Sequence, residues 1–193
     1  RKYWESLYLS TDEITDVLEV VRKSASYPYV YPMFAIVAHT GARKSEILRS
    51  RREDIDFQNG AITFREKKGS KKNGLTFRRV EMSGFLADVL RTWFSSPDAG
   101  LMHTISLRNC EKWGCQPVSS DSAQKQFKAT LKNSKWSVVR GFHVFRHSFA
   151  SNLAAAGVDA RIIDEFLGHH TDAMRRRYRH FFPHVRREAI GSV

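Results

Sequence analysis

Apolar residues recur along much of the chain at the three- and four-residue intervals of amphipathic helices. Ser10 and Glu13 are spaced as in a capping box and an apolar stripe follows them, so we predict a first helix over roughly residues 11–25. Residues 31–39 are almost all apolar and precede Gly41, which is typical of a buried helix that ends at a glycine cap. The same spacing predicts helices over residues 43–50, 85–94, 119–131, 143–156, 159–167 and 171–178.

Two segments have the composition of strands instead. Residues 60–64 and 75–82 are rich in β-branched and aromatic residues, and the link between them contains glycine, asparagine and four lysines. This pattern predicts a β-hairpin with a basic loop, and residues 54–57 are a candidate for a further short strand. Residues 101–118 favour neither type. The predicted fold class is α+β, mainly α-helical with a small antiparallel β-sheet.

Composition indicates a folded domain with a polyanionic partner. The chain has 193 residues, 41% of them hydrophobic and 27% charged, which excludes a low-complexity or disordered chain and fits one core. Basic residues outnumber acidic ones by 32 to 20, and they are spread through the whole chain. A folded body with a net charge of +12 is typical of proteins that bind nucleic acid.

Targeting signals and disulfides are not evident in the sequence. We find no apolar run of the roughly 20 residues that a membrane span needs, and no apolar leader at Arg1. Two cysteines, Cys110 and Cys115, are too few for a disulfide framework, so we expect a cytoplasmic location without membrane contact.

The sequence favours chemistry without a metal or a nucleotide. Cys110, Cys115 and His103 are poor candidates for zinc, because the cysteines are five residues apart and a fourth ligand is not evident. Acidic residues are scattered, whereas metal-dependent phosphoryl transfer needs clustered carboxylates. The segment around Lys44 lacks the upstream glycine of a phosphate-binding loop. We therefore expect no cofactor.

Two pairs of side chains are candidates for binding an anion. Arg43 and Glu46 are three residues apart, as are His143 and Arg146, so each pair is expected on one helical face. Arg43 is either a fixed anion clamp or half of a surface ion pair. Arg146 and His143 are suited to a phosphodiester, because guanidinium binds two oxygens and imidazole donates or moves a proton, but they also fit a solvated face. His147 points about 100° away and is interpreted as structural.

A second group of candidates lies in the basic hairpin loop and near the C-terminus. Tyr178 follows His169 by nine residues in a basic run, where cations can stabilise a phenolate nucleophile, although it also fits an aromatic anchor on a nucleic-acid backbone. Lysines of the loop are suited to gripping phosphate, and one of them is a candidate general acid. The phosphate-binding candidates are Lys68, Lys71, Lys72, Arg175, Arg176 and Arg177.

Taken in order, these motifs resemble the catalytic domain of the tyrosine recombinase, or phage integrase, family over about residues 8–182. Residues 40–46 are similar to its first arginine box, residues 143–150 to its second, and residues 167–169 with the nine-residue step to Tyr178 to its third. Phe145 stands where the family more often has leucine, and the hairpin loop is longer than the usual one.

The resemblance implies a role for each matched residue. Tyr178 would attack the scissile phosphate and form a 3′-phosphotyrosyl link with release of a 5′-hydroxyl. Arg43 and Arg146 would bind the non-bridging oxygens, and His143 and His169 would hydrogen-bond the phosphate or handle protons. The resemblance also implies a general-acid lysine, which is assigned to Lys67 rather than Lys68. Glu46 aligns with the family's acidic position and is expected to support the site by orienting neighbouring catalytic groups.

The implied activity is site-specific recombination of double-stranded DNA, without metal or ATP, by a homotetramer on DNA that is a monomer or weak oligomer when free. The alternatives are a type IB topoisomerase and a DNA-binding protein that has lost catalysis. We expect residues 1–182 to form the catalytic domain and residues 183–193 a basic tail. An N-terminal DNA-clamping domain is expected to lie outside this sequence, which would then be a catalytic fragment.

Overall fold

The computed structural model describes residues 8–65, 77–107 and 117–168. Seven α-helices lie in these ranges: α1 (Thr11–Ser24), α2 (Val30–Thr40), α3 (Lys44–Arg49), α4 (Gly84–Ser95), α5 (Ser120–Leu131), α6 (Phe142–Ala155) and α7 (Ala160–Leu167). Three strands, β1 (Ile55–Asp56), β2 (Ala61–Arg65) and β3 (Phe77–Glu81), form one antiparallel sheet in that order. The predicted mainly helical α+β class is confirmed.

Helix α1 begins at the predicted capping box. Ser10 Oγ accepts a hydrogen bond from the Glu13 amide at 3.2 Å, and the Ser10 amide donates to Glu13 Oε2 at 2.8 Å. These two bonds satisfy amide groups that a helix N-terminus otherwise leaves without partners. The buried stripe of the helix consists of Ile14, Val17, Leu18 and Val21.

Helix α2 is the centre of the core. It packs against α1, α4 and α6, which explains why its sequence is apolar on every side. Its Phe34 stacks on Phe127 of α5 at 4.6 Å between ring centroids and meets Phe145 of α6 edge-on at 5.7 Å. Because this core fixes the position of α2, it also fixes the position of the residues directly after the C-terminus of the helix.

The predicted hairpin is present, with β2 (Ala61–Arg65) paired antiparallel to β3 (Phe77–Glu81). Its register pairs Ala61 with Glu81 and Arg65 with Phe77. Along β3 burial alternates, and Arg78 lies on the buried face with Val80 while Phe77 is exposed. The candidate lysines of the connecting loop, at positions 67, 68, 71 and 72, lie outside the described residues.

One prediction differs in detail, one falls outside the described residues, and one observed element was not predicted. The first strand is only Ile55–Asp56, because a 3₁₀ turn, Arg52–Asp54, takes up the residues before it. A second 3₁₀ turn, Lys135–Val138, was not predicted. The helix predicted over residues 171–178 lies outside the described ranges. Among the described residues, no helix is both long and apolar enough to cross a membrane.

Candidate active site

The first element of the site is the bend that follows α2. Gly41 ends the helix in the left-handed region, with φ of +59°, and its amide donates to the Val37 carbonyl at 3.1 Å. A Cβ atom at this position would lie 2.8 Å from Phe149 Cδ1 and 2.9 Å from Leu167 Cδ2. Glycine is therefore required both by the backbone conformation and by the close approach of α6 and α7.

Two residues beyond the bend, Arg43 is held by a single buried carboxylate. Glu46 Oε2 accepts from the Arg43 amide at 2.7 Å, and Glu46 Oε1 accepts from Arg43 Nη1 at 2.8 Å. The side chain of Arg43 is 35% exposed, whereas that of Glu46 is 2% exposed. The predicted contact exists, but Arg43 caps α3 rather than sharing a helical face with Glu46, and the pair is not a surface ion pair.

Arg78 of β3 is a member of this cluster that the sequence analysis missed. Its Nη2 donates to Glu46 Oε2 at 2.6 Å, its Nη1 donates to the carbonyl of Phe166, and its side chain is 4% exposed. The guanidinium lies over the ring of Phe64, 4.6 Å from its centroid. The available signal was strand alternation, since Arg78 is two residues from the apolar Val80 and so shares its face.

Two guanidinium groups keep the carboxyl group of Glu46 ionised. Burial on its own would raise the pKa of Glu46, but the hydrogen bond and charge of Arg78 and the contacts of Arg43 outweigh that effect, so the pKa is lowered. Glu46 is thus a buried anion that orients two cations.

Arg146 joins the ends of two helices. Its Nη1 donates to the Gly41 carbonyl at 2.7 Å, and its Nη2 donates to the carbonyl of Leu167. The residue is only 7% exposed, unlike His143 one turn earlier on α6, which is exposed. The alternative interpretation of this pair, an ordinary solvated face, is therefore excluded for Arg146. Bonds from two different nitrogens to two backbone carbonyls fix the orientation of the planar guanidinium.

His143 lies in the first turn of α6 among cations. Desolvation of the ring lowers the pKa of His143 most strongly, and the positive charges of Arg146, Arg43 and Lys44 lower it further. With a pKa below 6.5 the imidazole is mostly uncharged at neutral pH, so it can accept a proton as well as donate a hydrogen bond. The two predicted boxes, about 100 residues apart in sequence, meet here.

The described residues thus include part of the predicted site. The structure brings together Arg43, Glu46, His143 and Arg146, and places the end of α7 against them. The predicted residues that lie outside the described ranges are Lys67, Lys68, Lys71, Lys72, His169, Arg175, Arg176, Arg177 and Tyr178. Within the described ranges, no group of three or more His, Cys, Asp or Glu side chains is arranged to hold a metal ion.

The cluster has the chemistry of an oxyanion site. It combines an oriented, partly exposed arginine with an uncharged histidine and a second arginine fixed by backbone carbonyls. Such preorganised donors stabilise negative charge that develops on a phosphate or an acyl group, because they need no reorganisation during the reaction.

Known proteins share both the sequence pattern and the fold. The model of the phage integrase family matches residues 8–184. The tyrosine recombinase XerA of Pyrococcus furiosus is 29% identical over 161 residues, which cover 83% of this chain and 52% of that protein. The chain spans about half the length of the curated relatives it matches.

Two solved structures illustrate the likeness. The catalytic domain of the bacteriophage HP1 integrase superposes with a TM-score of 0.63 at 24% identity, over 96% of this chain and 94% of that one. The XerH site-specific recombinase, solved as a post-cleavage complex on a palindromic difH substrate, gives a TM-score of 0.69 at 22% identity, over 95% of this chain and 52% of that one. Since the family model covers nearly the whole sequence, this chain belongs to the phage integrase family.

Proposed function

We propose that this chain is the catalytic part of a site-specific recombinase that cleaves and rejoins duplex DNA through a phosphotyrosyl intermediate. The observation that carries the proposal is the meeting of Arg43 and His143, from separate boxes, over a buried framework of Glu46 and Arg146. Family membership, the net charge of +12 and the DNA complex of XerH support the same substrate.

The proposed step begins at Tyr178. Its Oη attacks the scissile phosphorus and gives up its proton, the bond from phosphorus to the 5′ oxygen breaks, and Lys67 protonates the departing 5′ oxygen. His169 and the uncharged His143 hydrogen-bond the phosphate or take up protons. Reversal of the step, with a 5′-hydroxyl as the nucleophile, rejoins the DNA.

Arg43 and Arg146 act on the charge of the transition state. A five-coordinate phosphorus carries more negative charge on its non-bridging oxygens than the diester does, so fixed cations stabilise it more than the ground state. The tyrosyl ester conserves the free energy of the broken bond, so rejoining needs no nucleotide. A reaction that needs only charge stabilisation, proton transfer and a nucleophile accounts for a proposed active site of arginine, histidine, lysine and tyrosine.

The proposal extends to assembly and to chain organisation. Exchange of strands between two duplexes requires four cleavages, which a homotetramer on DNA provides, with monomers or weak oligomers in the absence of DNA. We assign residues 1–182 to the catalytic unit and residues 183–193 to a basic tail. DNA-backbone contacts are assigned to Lys68, Lys71, Lys72, Arg175, Arg176 and Arg177.

Covalent trapping tests the function directly. The chain is incubated with a pool of duplexes of varied sequence, each nicked next to a labelled phosphate so that cleavage cannot be reversed, in the presence of EDTA. We expect an SDS-resistant protein–DNA adduct that is lost in Tyr178→Phe and retained in Tyr27→Phe, a matched change at an exposed tyrosine. Strong DNA binding without an adduct at any sequence would refute the proposal in favour of a binding protein. Relaxation of supercoiled DNA without strand exchange would instead indicate a topoisomerase.

A further inference from the structure

Two buried arginines hold consecutive carbonyls at the end of α7. Arg78 donates to the carbonyl of Phe166, and Arg146 donates to that of Leu167. Carbonyls in the last turn of a helix lack intrahelical partners and carry partial negative charge, so two cations there stabilise the helix end. After Gly168 the chain continues directly to His169.

The same two arginines also reach the segment that carries Arg43. Arg146 binds the Gly41 carbonyl, and Arg78 binds the carboxylate of Glu46. Arg146 matches a family box, whereas Arg78 matches none of the three. The position of α7 relative to Arg43 is therefore set by two parallel links, one of which has no assigned role.

The link through Arg78 depends on the shape of the guanidinium. Glu46 Oε2 accepts from both the Arg43 amide, at 2.7 Å, and Arg78 Nη2, at 2.6 Å, while Glu46 Oε1 holds Arg43 Nη1 at 2.8 Å. One carboxylate thus transmits the position of Arg78 to both the backbone and the side chain of Arg43. A planar fork can bind Glu46 and Phe166 at once in a fixed geometry, and a lysine ammonium on a flexible stem has no such fork.

We propose that Arg78 is a positioning residue for DNA cleavage: it fixes the Arg43 guanidinium through Glu46 and aligns the end of α7 with it through the carbonyl of Phe166. This inference rests on the proposed function. With a side chain only 4% exposed, Arg78 acts through its neighbours and does not touch the DNA.

A positioning role affects the rate of cleavage more than the affinity for DNA. Misplacement of a catalytic group by about 1 Å can reduce a rate by about 100-fold while the substrate still binds. If Arg78 supplied only a positive charge, any cationic side chain at position 78 would give the wild-type rate of cleavage.

The decisive variant is Arg78→Lys, which keeps the positive charge beside Glu46 and removes the fork. The matched control is Arg79→Gln on the same strand, where the side chain is 52% exposed and faces away from the cluster. For each protein the melting temperature, the DNA dissociation constant and the single-turnover rate of adduct formation at saturating DNA are measured.

We expect Arg78→Lys to fold, to bind DNA within about twofold of wild type and to cleave about 10- to 100-fold more slowly. Arg78→Gln should cleave no faster than Arg78→Lys, and Arg79→Gln should cleave at the wild-type rate. A folded Arg78→Lys protein that cleaves as fast as wild type would overturn the proposal, because the residue would then supply only charge.

A second readout does not depend on cleavage. NMR of the Arg43 Nε–H group, assigned by its loss in Arg43→Lys, reports how rigidly that guanidinium is held. We expect it to be ordered in the wild type and in Arg79→Gln, and mobile in Arg78→Lys. If Arg43 remains ordered in Arg78→Lys, the positioning role is refuted even where the wild type cleaves DNA. If the wild type forms no adduct at all, the proposed function fails on its own, and the order of Arg43 still decides whether Arg78 positions it.

Discussion

At the scale of single residues, the site depends on one buried carboxylate. Glu46 pairs with the buried Arg78 and the partly exposed Arg43, and removal of its carboxylate is strongly destabilising because the charge of Arg78 stays buried without its partner. Protonation of Glu46 is therefore expected to lower the stability of the fold. The protonation of His143 is expected to depend on the positive charges around it.

The first prediction concerns acid stability. A carboxyl group whose pKa is lowered by folding stabilises the native state above its ordinary pKa of 4.5, and this contribution is lost as the pH falls through the lower native value. We expect Glu46→Gln to reduce the free energy of unfolding by about 3–5 kcal/mol at neutral pH. Below the native pKa the difference should shrink, because protonation removes the same charge from the wild type.

Urea unfolding from neutral to strongly acidic pH measures this difference. Glu19→Gln is the control, because Glu19 is in an exposed i,i+3 pair with Arg22. A constant gap between wild type and Glu46→Gln across the acidic range would contradict the assignment.

The second prediction concerns the titration of His143. Its pKa is lowered from 6.5 by desolvation and by Arg146, Arg43 and Lys44, so its NMR midpoint in the free protein should lie below 6.5. Removing one of these cations in Lys44→Gln should raise that midpoint. Lys23→Gln, a change in the last turn of α1, should leave it where it was. An unchanged midpoint in Lys44→Gln would show that the charge of Lys44 does not reach the imidazole.

At the scale of elements, two glycines with positive φ differ in their surroundings, because Gly41 ends α2 whereas Gly60 lies in the turn before β2. Gly41 and Gly60 both have positive φ, +59° and +62°, but only Gly41 is crowded by other side chains. A side chain at Gly60 therefore adds only backbone strain, whereas a side chain at Gly41 adds backbone strain and steric clashes.

The third prediction uses this contrast. Gly60→Ala should cost about 1 kcal/mol of stability, the usual penalty for a left-handed conformation. Gly41→Ala should cost clearly more, because its Cβ would displace Phe149 and Leu167, and it should also slow adduct formation by moving the carbonyl that holds Arg146. Chemical denaturation and the trapping assay measure the two effects. Equal losses of stability in the two variants would contradict the close approach at Gly41.

Elements with a strong local signal could be predicted from the sequence. The capping box at Ser10, the apolar run before Gly41 and the β-branched strands each carry their information within a few residues. The 3₁₀ turn at Arg52–Asp54 could not be predicted in this way, because its cap is a single hydrogen bond from the Arg51 amide to the Asp54 carboxylate, which leaves no periodic pattern in the sequence. Arg78 was missed for a related reason, since a charged residue on the buried face of a strand makes sense only once its distant partner Glu46 is known.

At the scale of the whole molecule, the site is assembled from segments far apart in sequence. Arg146 and Gly41, which hydrogen-bond directly, are 105 residues apart. Residue types and order were enough to indicate the family, but the burial of Arg146 and the shared carboxylate of Glu46 depend on tertiary contacts. The net charge of +12 is likewise a property of the whole chain and is expected to affect its affinity for DNA.

The fourth prediction concerns that charge. If the chain neutralises several phosphates, its affinity for duplex DNA should fall about 1,000-fold or more between 50 and 200 mM salt. Arg43→Gln removes one phosphate contact and should reduce the slope of log affinity against log salt by about 1. Arg22→Gln, on α1 and paired with Glu19, should leave the slope unchanged. Binding measured by fluorescence anisotropy over a salt series gives both slopes. A slope near zero would show that binding does not depend on phosphate contacts.

The attachment of Leu9 to α6 has a mechanical consequence. The Leu9 amide donates to Ser148 Oγ at 2.8 Å, and its carbonyl accepts from Asn152 Nδ2 at 3.0 Å, one helical turn further along. Tension applied to the polypeptide ahead of Leu9 is thus transmitted into the helix that carries His143 and Arg146 before it reaches α1. Helix α6 therefore anchors the polypeptide ahead of Leu9, and a pull on that segment is transmitted to the helix that carries the buried Arg146.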